Sequence, residues 1–223
     1  ILLKPNGVAT FEFPHLLKLV NENQFDTIYH EHFSYLSLTA LETIFKENGL
    51  QIFDVEEHTT HGGSLRLFAQ RSDTGVQIVS EQVIKLRKRE MDAGMNSDNF
   101  YKNFQEKANI VKDDLLNFLI KAKQDGKKVV AYGAAAKGNT LLNYAGIRPD
   151  LLSYVVDKSP SKQGKYMPGS RIPIHTEQFL KNDKPDYVLI LPWNLKNEVI
   201  KQLSYIQVNG GNFVVAVPKL EII

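Results

Sequence analysis

The run Thr27-Ile28-Tyr29-His30-Glu31-His32-Phe33-Ser34-Tyr35 puts a phenol, two imidazoles and a carboxylate at four consecutive positions. Residues of these types suit proton chemistry. Histidine titrates near neutral pH, a carboxylate can hold its second nitrogen in one tautomer, and a tyrosine hydroxyl can donate a hydrogen bond to a developing oxyanion. Together they could make an enolate and stabilise it. Two other readings stay open from residue types alone. His30 and His32 could join His58 and His61 around a metal if the loops meet, although a third ligand cannot be placed. The run could also be a histidine-rich loop satisfied by backbone hydrogen bonds.

Elements on either side must position this run. Ile1-Leu2-Leu3-Lys4-Pro5-Asn6-Gly7 reads as a helix end and turn, and Val8-Ala9-Thr10-Phe11-Glu12-Phe13-Pro14 as a buried strand. Thr39 with Glu42 three residues on has capping-box spacing, which predicts a helix that stops at Gly49. Residues 50–55 and 64–69 alternate as strands, with His61-Gly62-Gly63 turning between them. From Ser72 to Gln124 the chain is charged and helical. Phe100, Phe104, Val111, Leu115, Phe118 and Leu119 give it one apolar face. Lys85, Arg87, Lys88 and Arg89 read as a solvated helix face in preference to a phosphate site.

Beyond Lys127, strands at 128–132, 152–157, 186–191 and 212–217 alternate with helices at 139–144 and 198–203. That order implies a parallel sheet covered on both faces, with ligands bound beyond the carboxyl ends of the strands. Several strand ends carry candidates. Gly133, Ala134, Lys137, Gly138, Asn139 and Thr140 form a small-residue turn that lets a backbone approach a ligand, followed by a helix with free N–H groups. Lys137 precedes Gly138, so this is not a Walker loop, nor is it G-x-G-x-x-G. Tight strand-to-helix packing explains the small residues equally well. Asp157, Lys158, Lys162 and Gln163 follow the next strand and could bind a ribose or a pyrophosphate, or form an exposed lysine-rich loop. Trp193 and Asn194 offer a stacking surface and an amide, or a tryptophan serving the core. Glu12, Pro14 and Asn23 flank the Tyr-His-Glu-His run and could touch a ligand or shape the loop. The same holds for His61, Gly62 and Gly63, whose glycines a hairpin turn accounts for. His15 and His175 read as structural.

With Leu3-Lys4-Pro5-Asn6-Gly7, Thr27–Tyr35, His61–Arg66 and Tyr132–Thr140 in this order, the chain resembles the S-adenosylmethionine-dependent nucleotide-sugar C-methyltransferases almost end to end. Those enzymes methylate a ring carbon next to the ketone of a dTDP-4-keto-deoxysugar. The resemblance implies an α/β fold in three parts. Residues 1–71 would be the tail of a class I methyltransferase (Rossmann-like) sheet, its final two strands antiparallel, with the catalytic loop. Residues 72–124 would be a helical linker, and 125–223 a second Rossmann-like domain with a mainly parallel sheet that binds the sugar nucleotide.

The family's Y-x-E-H pattern falls on Tyr29, Glu31 and His32. His32 would remove the proton, Glu31 orient the imidazole, and Tyr29 hydrogen-bond the enolate oxygen. The resemblance adds His30 to the substrate contacts named above and assigns Glu12 and Pro14 to the cofactor. It implies S-adenosylmethionine as methyl donor, and zinc in a cysteine-rich amino-terminal module and not here. The expectation is of a carboxyl-terminal portion of a longer enzyme, inactive alone.

Composition fits a soluble intracellular enzyme, and the resemblance implies a cytoplasmic one with a nucleotide-sugar partner. The 223 residues are 43% hydrophobic, enough for packed cores, and the formal charge of +2 is too small to imply nucleic acid. There is no cysteine, hence no disulfide and no thiol nucleophile. No apolar run approaches the ~20 residues that span a bilayer. A different class of function, a non-catalytic nucleotide- or CoA-binding Rossmann-like module, would bind its ligand without Tyr29 or His32. An NAD-dependent dehydrogenase is disfavoured because the dinucleotide fingerprint is absent.

Overall fold

The computed structural model describes residues 3–223. They divide into two units: one takes the described residues up to Asn23 together with His32–Phe104, the other Gln24–Glu31 together with Gln105–Ile223.

The first unit is built on strand β1 (Val8–Pro14), helices α1 (Leu16–Asn21) and α2 (Leu38–Glu47), strands β2 (Leu50–His58) and β3 (Ser64–Arg71), and helices α3 (Glu81–Asp92) and α4 (Asp98–Tyr101). The sheet order is β1-β3-β2 with both pairs antiparallel, as expected for β2 and β3. Alternation in β3 turns Leu65, Leu67 and Ala69 to one face, where none is exposed. They pack with Leu38, Leu41 and Phe45 of α2 and Val83 and Leu86 of α3. Each fully buried leucine stabilises the unit by roughly 2–3 kcal/mol before entropy is counted.

The start of α2 differs from the capping box read from the sequence. Ser37 is the cap, its Oγ accepting the Ala40 N–H at 3.1 Å. Thr39 instead donates its backbone N–H and its hydroxyl to Glu90 Oε2, at 2.9 and 2.6 Å. The other Glu90 oxygen accepts the Leu38 N–H at 2.8 Å and contacts His15 Nε2 at 2.8 Å. A carboxylate from α3 therefore does the work that spacing assigned to Glu42, and Glu42 pairs with Arg87 at 2.5 Å. The basic run of α3 is paired throughout: Lys85 with Glu81, Lys88 with Asp92 and Arg89 with Glu57.

The second unit contains helix α5 (Phe104–Gln124, its first residue excepted), then β4 (Val129–Tyr132), α6 (Ala136–Tyr144), β5 (Val155–Val156), β6 (Ile174–His175), α7 (Glu177–Asp183), β7 (Tyr187–Ile190), α8 (Lys196–Gln202), α9 (Tyr205–Val208), β8 (Asn212–Val215) and β9 (Glu221–Ile222). The six strands run in the order β6-β5-β4-β7-β8-β9, parallel except for the β8–β9 pair. This is the α/β, Rossmann-like arrangement anticipated from the alternation of strands and helices. Val130, Val156, Val188 and Phe213 sit in its core without exposure. The apolar stripe of α5 is real, with Val111, Leu115 and Leu119 buried, while Phe118 is half-buried edge-on to Tyr187 at 5.1 Å.

The division differs from boundaries at 71 and 124. Residues 72–124 form no separate linker, because α3 and α4 go with the first unit and α5 with the second. Residues 24–31, in the middle of the expected first part, also belong to the second unit.

Candidate active site

A single 3₁₀ turn, Phe25–Thr27, ties the start of the Tyr-His-Glu-His run into the second unit. Phe25 is buried with its ring 5.3 Å from that of Tyr144 on α6. The Thr27 hydroxyl donates to the Gln24 carbonyl at 2.7 Å, and the Trp193 indole N–H donates to Asp26 Oδ2 at 2.7 Å. Just beyond, Tyr29 and His30 stand with ring centres 6.4 Å apart and line a cleft of about 390 Å³. Ala134, Asn139 and Thr140 form one wall, beyond the carboxyl end of β4. Lys162, Lys165 and Tyr166, from the loop after β5, form another. Glu31 is exposed in the same unit. His32 belongs to the first unit, half-buried and edge-on to Tyr35 at 6.4 Å.

Two glycines of the small-residue turn are there for packing. Gly133 has φ +91°, and a Cβ on it would stand 2.5 Å from Pro192 Cδ. A Cβ on Gly138 would stand 2.6 Å from Leu191 Cβ, so only glycine lets α6 lie this close to the segment after β7. Gly138→Ala is expected to cost about 2 kcal/mol through overpacking, read as a lower midpoint in chemical denaturation. A midpoint equal to that of the parent chain would show that the contact relaxes freely.

Lys137 does not serve as a ligand-facing lysine. It is buried, its Nζ donates to Asn194 Oδ1 at 2.7 Å, and it stands 4.5 Å from the centre of the Trp193 ring. Burial lowers its pKa, and the Asp26 carboxylate partly offsets this. Asp157 is likewise committed to structure. Its carboxylate accepts the Ala134 and Ser159 N–H groups, both at 2.8 Å, and pairs with Lys162 at 3.3 Å. Gln163 donates to the Asp157 carbonyl at 2.9 Å, and Lys162 to the Ala134 carbonyl at 2.9 Å. Of the strand-end candidates, Ala134, Asn139, Thr140 and Lys162 line the cleft; Gly133, Lys137, Gly138, Asp157, Lys158, Gln163, Trp193 and Asn194 do not. Lys158 is exposed.

Candidates in the first unit are also engaged. Glu12 accepts from Ser64 Oγ and Arg66 Nη2, both at 2.8 Å, and the Ser64 hydroxyl and Arg66 guanidinium hold its carboxyl below the usual glutamate range. Pro14 sits opposite Ser64 in the ladder. His61 is exposed at φ +55° in the turn with Gly62 and Gly63. Asn23 is buried at φ +49°, and its Oδ1 has no hydrogen-bond partner. Among the described residues, no group of three or more His, Asp or Glu is arranged to hold a metal. His15 is structural, as read, through its bond to Glu90.

Sequence reasoning missed Asp26, Glu90 and Tyr166, while Lys165 entered it only as the last of three lysines, after Lys158 and Lys162, that suit a pyrophosphate. Asp26 lay three residues before the motif, so adjacency was the available signal. Nothing local marks Glu90, whose partners are 51 or more residues away.

A mainly parallel six-stranded sheet with a cleft at the end of β4 defines the second unit as Rossmann-like. Residues 59–218 match the family model described as C-methyltransferase C-terminal domain, and the chain belongs to that family. It is 37% identical over 222 residues to C-methyltransferase NovU of Streptomyces niveus, a match that covers all of this chain and 53% of that protein. The chain thus spans about half the length of that relative. No helix among the described residues is long and apolar enough to cross a membrane.

Proposed function

We propose that the chain acts in the transfer of a methyl group from S-adenosylmethionine to the carbon next to the ketone of a dTDP-4-keto-deoxysugar. Tyr29 and His30 on the wall of a cleft that also carries Lys162, Lys165 and Tyr166 are the observation that carries this reading. A phenol, an imidazole, two ammonium groups and an aromatic ring are what a ketosugar joined to a nucleoside diphosphate calls for.

A hydrogen on carbon beside a ketone does not leave unaided at neutral pH. A base must meet it while a donor holds the carbonyl oxygen. His32 is the base, Glu31 orients its imidazole, and Tyr29 donates a hydrogen bond to the oxygen as it becomes an enolate. The electron-rich carbon is then the nucleophile of the methyl transfer. Lys165 meets the diphosphate and Tyr166 the base. The family supplies S-adenosylmethionine as the donor, but Glu12 and Pro14 do not fit it: the Glu12 carboxylate is held by Ser64 and Arg66, and Pro14 lies in the strand ladder.

Calorimetric titration with dTDP tests the nucleotide part of this reading. Lys165→Ala is the variant of choice, because Lys162 also holds the Ala134 carbonyl and Lys137 is buried. Loss of one charge-assisted phosphate contact is expected to weaken dTDP binding about tenfold. Equal affinity in the parent and variant would remove Lys165 from the diphosphate site.

A further inference from the structure

Beside the cleft lies a buried polar cluster that the chemistry above does not use. Asp26 has no exposure, and only its Oδ2 is bonded, to the Trp193 N–H; Oδ1 has no hydrogen-bond partner. The Lys137 ammonium acts on the same carboxylate from α6, while its own hydrogen bond goes to Asn194. Asp26 stands three residues before Tyr29, inside the turn whose Phe25 rests on Tyr144. The segment 24–31 belongs to the second unit although the chain on both sides of it belongs to the first. Something must hold it there, and Asp26 with Phe25 supplies the two buried anchors.

We propose that Asp26 is the positioning residue of the Tyr29–His30 segment: its buried carboxyl group, held by the Trp193 indole and facing the Lys137 ammonium, fixes both rings on the wall of the cleft. The aromatic contact of Phe25 gives adhesion without direction. A hydrogen bond into a carboxylate fixes one geometry and is about twice as strong as a neutral one. Protonation removes the attraction to Lys137 and turns the Trp193 bond into a neutral one, but it also ends the desolvation cost of the buried charge, so the segment keeps its place while the indole senses the change. The ionisable group facing Asp26 is Lys137; the turn Trp193–Leu195 brings Trp193 and Asn194, which do not titrate.

The pH of that change follows from the environment. Burial raises the Asp26 carboxyl to about 6, against the lowering effects of the Trp193 bond and Lys137. The folded chain therefore binds this proton more tightly than the unfolded chain does. The stability that goes with it is full below the ordinary value of 3.8 and is lost as pH rises through about 6. At neutral pH the ionised carboxylate is held at a cost to the fold.

The sequence has one tryptophan, so its emission reads the bond directly. In the full 223-residue chain, Trp193 emission is expected to show one transition between pH 5 and 7.5, centred near 6, that Asp26→Asn abolishes. His30→Asn, which removes the neighbouring exposed imidazole, must leave that transition in place. As a second measurement, Trp193→Phe keeps a ring under Lys137 but removes the N–H. It is expected to speed amide exchange across residues 24–31 about tenfold, with no change in β4 and β7. A transition that survives Asp26→Asn, or disappears in His30→Asn, overturns the proposal, as does unchanged exchange across 24–31 in Trp193→Phe. The catalytic meaning of the segment rests on the methyl-transfer reading. If the fluorescence and exchange results hold while Tyr29→Phe turns over at the parent rate, Asp26 keeps its positioning role and Tyr29 loses its catalytic one.

Discussion

Alanine at His32 is expected to lower turnover by about two to four orders of magnitude while KM moves little. Removing a general base takes away an interaction made as the proton is transferred, so the loss falls on kcat and not on ground-state binding. Steady-state kinetics in a preparation that methylates its sugar nucleotide make the comparison, with the keto substrate varied at saturating methyl donor. Solvent-exchange of the hydrogen beside the ketone gives a second reading that needs no methyl transfer: deuterium incorporation from D2O falls together with kcat if His32 is the base. Turnover that survives the substitution removes His32 from this role and hands it to another group on the same run, His30 being the alternative imidazole.

The second large effect concerns stability. Glu90→Ala is expected to cost the first unit about 3–5 kcal/mol and to lower its melting temperature by more than about 10 °C, followed by calorimetry or by circular dichroism. Glu90 is unexposed and satisfies the Leu38 N–H, the Thr39 N–H, the Thr39 hydroxyl and His15. Truncation leaves those groups buried or half-buried without a partner. Burial pushes the Glu90 carboxyl up, but hydrogen bonds from His15, Thr39 and Leu38 outweigh it, and the net direction is down from 4.5. A depressed pKa gives stability that is present above the unfolded value and lost as pH falls through the folded one. The parent unit should therefore weaken below about pH 4.5, and the alanine variant should lack that part of the dependence. A variant that melts with the parent would mean that water reaches the start of α2 and replaces the carboxylate.

Patterns that depend on near neighbours were legible in the sequence. Alternation in β3, the turn at Gly49, the strand-and-helix alternation beyond Lys127 and the Tyr-His-Glu-His run are all written within a few residues of where they act. Contacts between distant residues were not. The Trp193–Asp26 bond spans 167 residues, and no local pattern announces it. Lys137 misled because a lysine among small residues after a strand looks like a phosphate ligand. Helix α6 starts at Ala136, three residues before the expected Asn139, and Lys137 is spent on Asn194 and Trp193. Asp157 misled in the same way, since a carboxylate at a strand end suits a ribose as well as it suits the N–H groups of its own loop.

The pairing of every basic side chain in Lys85–Arg89 has an electrostatic consequence at long range. Lys85, Arg87, Lys88 and Arg89 lie within 2.5–3.2 Å of Glu81, Glu42, Asp92 and Glu57 respectively. What reads as a cationic stripe is a row of opposed dipoles, and a dipole's field is spent within the ~8 Å over which physiological salt screens a charge. Lys158 and Lys165 are exposed and have no ion-pair partner among the described residues. They share this state with other exposed cations, Lys46, Lys107 and Lys201 among them, and differ from those in flanking the cleft loop. Added salt should therefore weaken the pull of the loop after β5 on an approaching polyanion while changing little at α3, where each cation is already opposed.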